Sequence, residues 1–181
     1  MPRPTHCVLL TLLLSPLLAT TACNGTHPSP HDPAVTISQL VRDQLTATQR
    51  ATLESPDSMH LAALDPTPVS FDPKRQRGEL MHEYEVLGKT ELTAGDRTEA
   101  VNAVYESISG NTGVVAACFN PRHGLRASKG DSTVEVVICF ECLSLVIVEN
   151  GQRTASIIIG QDGSKALTSL LTTAGIALAK D

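Results

Sequence analysis

The rhythm of apolar and polar positions changes several times along the chain, and each rhythm predicts an element. In residues 36–53, TISQLVRDQLTATQRATL, apolar Ile37, Leu40, Val41 and Leu45 recur near the helical period, with Thr36 or Ser38 placed to cap the start. Residues 58–66, SMHLAALDP, read as a short strand or turn closed by Asp65-Pro66, and the loop TPVSFDPKRQRGE follows. Residues 79–92, ELMHEYEVLGKTEL, alternate well enough for a strand with Leu80, His82, Tyr84 and Val86 on one face. Residues 95–111, GDRTEAVNAVYESISGN, form a clear helical pattern. Asp96 is the expected cap, Ala100, Val101, Val104, Tyr105 and Ile108 make the apolar stripe, and Gly110 or Asn111 ends it.

Beyond that helix the pattern turns β-rich: GVVAACF, GLRAS, TVEVVICF, CLSLVIVEN and TASIIIG, the first beginning at Gly113 and the last ending at Gly160. Turn residues separate them at Lys129-Gly130-Asp131, Glu149-Asn150-Gly151 and Gly160 with Gly163. A last helix, SKALTSLLTTAGI, turns Ala166, Leu167, Leu170, Leu171 and Ala174 inward and stops near Gly175. This order predicts an α+β domain over 36–181, with 79–181 its best-defined part. Its sheet is mostly antiparallel, of about five strands, with two or three helices packed on one face.

Composition adds two constraints. Aromatic residues are 3% of the chain and tryptophan is absent, so the core must come from Val, Ile, Leu and Ala. The formal net charge of −5 argues against a nucleic-acid partner, which calls for a basic face against the phosphates.

The N-terminal stretch MPRPTHCVLLTLLLSPLLATTAC has one basic residue, Arg3, and then an apolar run from Cys7 to Ala19. That run has signal-peptide length and falls short of the about 20 residues a spanning helix needs. Ala19, Thr20, Thr21 and Ala22 precede Cys23, and this resembles the lipobox of bacterial lipoproteins, with Thr20 where leucine is usual. The expectation is a signal peptide over 1–22 and acylation, palmitate included, at Cys23. Cleavage as an ordinary secretory signal after Ala22 would instead give a periplasmic or secreted protein. Either way the domain lies outside the cytoplasm. Loss of 1–22 removes Arg3 and no acid, taking the net charge from −5 to −6. Asn24 follows the cysteine, and the lipoprotein resemblance implies the periplasmic face of the outer membrane. Residues 23–35 carry Pro28, Pro30 and Pro33 and read as a lipid-anchored tether. His27 and His31 belong to that tether, and its prolines exclude a helix that would pair them on a metal.

Cys118, Cys139 and Cys142 remain in the domain, in an oxidising compartment. A hairpin turn centred on Lys129 and Gly130 makes partner numbers sum to about 259 and brings Cys118 against Cys139-Phe140-Glu141-Cys142. A Cys139–Cys142 bond is disfavoured while that segment is extended, because residues three apart on a strand are about 10 Å apart. A cross-strand disulfide from Cys118 to Cys139 or Cys142 is the expected outcome, with Asn120-Pro121 as the natural bulge, and would stabilise by roughly 2–4 kcal/mol. A zinc site of Cys118, His123, Cys139 and Cys142 is the rival, although about 16 Å of extended chain separates Cys118 from His123. Without that zinc no cofactor is implied. Arg122, His123, Arg126 and Lys129 form a dense basic patch, and the first three are candidate anion-binding residues. No Ser or Asp partner for His123 is identifiable by spacing, no catalytic residue is assigned, and no phosphate loop, zinc-protease helix or nucleophile elbow occurs.

The run Cys118-Phe119-Asn120-Pro121-Arg122-His123-Gly124 with Arg126, followed by Ile138-Cys139-Phe140-Glu141-Cys142, resembles a family of small, uncharacterised bacterial proteins, many with lipoprotein signals. The segments YEVLGKTEL and LDP, and the helix between this hairpin and YEVLGKTEL, share the likeness, which covers roughly residues 60–178. It implies an envelope lipoprotein and a special role for the hairpin. Two functions follow as expectations. One is a membrane-tethered binding or interaction module with a protein or small-molecule partner. The other is a metal- or thiol-dependent envelope enzyme using the Cys/His cluster.

Overall fold

The computed structural model describes residue 35, residues 37–71, residue 74 and residues 78–180. The expected signal peptide, Cys23 and nearly all of the expected tether lie outside the described residues. The domain is α+β, as expected, with more elements: seven antiparallel strands and four α-helices among the described residues.

The first predicted helix is two. α1 spans Gln39–Gln44 and α2 spans Ala47–Glu54. Leu45 between them is extended, and Thr46 starts α2 with a capping box in which Thr46 and Gln49 exchange side-chain and backbone hydrogen bonds. Arg50 donates to the Leu45 carbonyl left open by the break. β1 follows at Ser58–Leu64. The single strand expected over 79–92 is a hairpin, β2 (Leu80–Met81) and β3 (Tyr84–Glu91), turning at His82 with φ 53°. That strained turn is held by the His82 N–H, which donates to Glu135 Oε2 at 3.1 Å.

α3 spans Ala94–Ser109 and is capped by Thr93, not Asp96; Asp96 is the third residue of the box and returns the bond. Its predicted stripe is buried. β4 (His123–Lys129), β5 (Ser132–Cys139), β6 (Ser144–Glu149) and β7 (Gln152–Ile158) form a meander, and α4 covers Ser164–Thr173.

The strand order is β2-β3-β1-β4-β5-β6-β7, so β2 and β7 are the edges. Met59, Leu61, Leu125, Val136, Ile147 and Ile157 face the helices, whose buried stripes complete the main core. The other face is also apolar at Ala62, Leu64, Val137, Val146 and Val148, where Met81 and Tyr84 of the β2–β3 hairpin lie against it. That two-sided burial is why every residue from Val134 to Phe140 is buried.

GVVAACF forms no strand. β5 already has β4 on one side and β6 on the other, so it has no free edge for residues 113–119. Val114 and Val115 stay exposed, while Phe119 packs edge-on against Tyr84 at 6.1 Å.

Candidate functional site

The end of the β4–β5 hairpin is built from its register. His123 pairs with Ile138 and Lys129 with Ser132, so the turn is centred on Gly130 and Asp131, two residues in sum from the expected register. Gly130 takes φ 53° there, which an L side chain disfavours. The expected bulge at Asn120-Pro121 is absent because both residues precede the ladder; the Arg122 N–H still reaches the Ile138 carbonyl at 3.3 Å.

The corrected register carries the chain past Cys139 into a turn rather than an extended arm. Residues 140–143 reverse direction, with a Leu143 N–H to Phe140 carbonyl bond of 3.2 Å and Leu143 at φ 54°. The Cα atoms of Cys139 and Cys142 are therefore 5.1 Å apart, and these two cysteines are disulfide-bonded. This corrects the cross-strand pairing expected from an extended segment. Cys118 is exposed and unbonded, yet its Sγ lies 3.9 Å from Cys142 Sγ. The meeting of the first sulfur with the later pair was legible in the spacing; which two bond was not.

Arg126 does not share a surface with Arg122 and His123. Strand alternation puts His123 on the helix side of β4 and Arg126 on the opposite face. Arg126 faces Glu135 across the ladder and binds its carboxylate at 2.7 Å, donates to the Leu80 carbonyl at 2.6 Å, and pairs with Glu79. Lys89, its hydrogen bond acting most strongly, and then Arg126 hold the Glu79 carboxyl below its ordinary value. Arg126 is thus committed to a network that pins the β2–β3 hairpin over the second face. Arg122 donates to Glu141 at 2.7 Å and to the Ala179 carbonyl at 3.2 Å.

His123 is 5% exposed. Its Nε2 is 3.0 Å from Thr168 Oγ1 on α4, and its ring meets Phe140 edge-on at 5.3 Å. Burial first, and the Arg122 charge second, lower its pKa from 6.5 to about 4, so the ring is neutral at pH 7. Two of the four candidate zinc ligands, Cys139 and Cys142, share their sulfurs with each other.

What the hairpin end does form is a pocket of about 190 Å³ against α4. Asn120, Arg122, His123 and Phe140 supply one wall; Ser164, Thr168 and Leu178 supply the other. The α4 side is set by Gly163, because a Cβ there would collide with the Ala103 carbonyl of α3. The Gly163 N–H donates to Ser107 Oγ at 3.2 Å, which fixes the corner. Sequence reasoning missed Ser164 and Thr168. Both lie between the apolar positions of an amphipathic helix, and no local pattern separates a pocket-lining hydroxyl from a solvated one.

No family model, no curated protein and no solved structure matches the chain.

Proposed function

We propose that this chain is a membrane-tethered binding module of the bacterial cell envelope, acylated at Cys23, whose hairpin-end pocket takes a small polar ligand or the end of a peptide. The pocket is the observation that carries the reading. Asn120, Gln161, Ser164 and Thr168 offer donors and acceptors, Arg122 and Glu141 opposite charges, and Phe140 and Leu178 a smaller apolar patch. A concave site where polar groups converge beside apolar side chains suits a small polar ligand. The apolar run from Cys7 to Ala19, the small residues before Cys23 and the proline-rich tether support the anchor. Asn24 favours the outer membrane, and the likeness to small bacterial lipoproteins supports an anchored envelope protein.

Two experiments test the two halves. Cys23→Ser should move the protein from the membrane fraction to the soluble periplasm; undiminished membrane retention refutes acylation. Fragment screening by NMR should produce chemical-shift changes that cluster on Asn120, Phe140, Ser164 and Thr168. Hits scattered over the surface, or hits that cluster elsewhere, refute the pocket as the binding site. Stoichiometric zinc in the purified reduced protein would favour the metal-dependent alternative.

A further inference from the structure

We propose that Cys118, Cys139 and Cys142 form a thiol–disulfide exchange site in which the free thiol moves between an exposed sulfur and a buried one. Three sulfurs meet at the hairpin end, two bonded and one free. Cys118 Sγ stands 3.9 Å from Cys142 Sγ, close to sulfur–sulfur contact, so Cys142 is the atom within reach of attack. This inference is independent of the pocket and of the anchor.

The step balances within the protein. The Cys118 thiolate attacks Cys142 Sγ and a Cys118–Cys142 bond forms as the Cys139–Cys142 bond breaks. The electron pair of the broken bond leaves on Cys139, which takes up the proton that Cys118 gave up. One disulfide and one thiol stand on each side, so the exchange needs no oxidant or reductant. Two backbone donors already serve it. The Cys142 N–H points at Cys139 Sγ from 3.1 Å, where it would stabilise the departing thiolate. The Asn120 N–H points at Cys142 Sγ from 3.2 Å and fixes the sulfur under attack beside the Cys118 segment.

The two states differ in reactivity. In the first, the thiol sits on exposed Cys118, open to small disulfides and electrophiles. In the second it sits on Cys139, which is 1% exposed and closed to them. The second state also ties the segment before β4 covalently to the 140–143 turn.

The test uses the full chain carrying Cys7→Ser and Cys23→Ser, which leaves these three sulfurs. Folded protein is held at about pH 8, where thiolate forms, and exchange is stopped with acid. The free thiol is alkylated after unfolding in acid, and linkages are mapped by mass spectrometry with cleavage after Glu141 to part Cys139 from Cys142. The expected result is label divided between Cys118 and Cys139, with both Cys139–Cys142 and Cys118–Cys142 linkages present. Adding Cys118→Ser should abolish label at Cys139, and adding Cys139→Ser should yield the Cys118–Cys142 linkage after air oxidation. Label on Cys118 alone at every incubation time, a Cys118–Cys139 linkage, or three free thiols after air oxidation would each overturn the proposal. The three-cysteine protein decides by itself if the Cys139→Ser variant does not fold.

Discussion

Acidification should destabilise this domain through one histidine. His123 is buried between Phe140 and Thr168, and its pKa falls from 6.5 to about 4 on folding. The unfolded chain therefore holds the proton more tightly than the folded one. The stabilising contribution is complete above 6.5 and is lost as pH falls toward 4. Integrated over that window, the loss is about 2 kcal/mol at pH 5 and about 3 kcal/mol at pH 4, a large share of a typical domain's stability. The nearest charge, Arg122, adds to the effect, and its partner Glu141 is largely exposed and screened. The assay is urea unfolding followed by far-ultraviolet circular dichroism at pH 7.5, 5 and 4, with His123→Gln as the control. Glutamine has no titration in this range and can still reach the Thr168 hydroxyl. The wild-type curve should fall more steeply than the variant's by the amounts above; carboxylates such as Glu79 titrate in both proteins and cancel. Parallel curves for the two proteins would refute the burial argument.

Three further outcomes follow from the packing. Glu135→Gln should cost about 2 kcal/mol in urea unfolding, because it weakens the Arg126 pair and the acceptor for the His82 N–H together. Gly163→Ala should cost about 2 kcal/mol by forcing α4 away from the Ala103 carbonyl, and should shift the NMR signals of Ser164 and Thr168. Tyr105→Phe should cost about 1 kcal/mol, the value of its hydrogen bond to Glu54 at 3.0 Å, again by urea midpoint.

Much of this architecture was legible residue by residue. The stripe Ala100, Val101, Val104, Tyr105 and Ile108 marks α3, and Asn150-Gly151 marks the β6–β7 turn, where both residues take positive φ. What escaped was fixed by contacts distant in sequence. His82 turns the chain although nothing beside it signals a turn, because its N–H finds Glu135, 53 residues away. The Cys139–Cys142 turn contains no Gly, Pro or Asn; Leu143 adopts the left-handed conformation instead, next to a sheet that constrains both flanks. A two-residue difference in hairpin register also concealed the Arg126–Glu135 pair. With the turn one residue earlier, Arg126 would have faced Thr133 and seemed available to an outside anion.

The sheet's two edges bear on how the protein behaves at high local concentration. β2 is a stub of two residues that covers only Tyr84 and Glu85 of β3, and along the rest of β3 the charged Lys89 and Glu91 stand exposed, which discourages an added strand. β7 is interrupted where the register slips between Ile147 and Val148, and Gln152, Arg153 and Thr154 stand exposed along it. Neither side offers a long, flat, greasy rail to a neighbouring copy. A chain whose central strands are this rich in valine and isoleucine would otherwise be a candidate for polymerisation, and its borders are shaped to resist that.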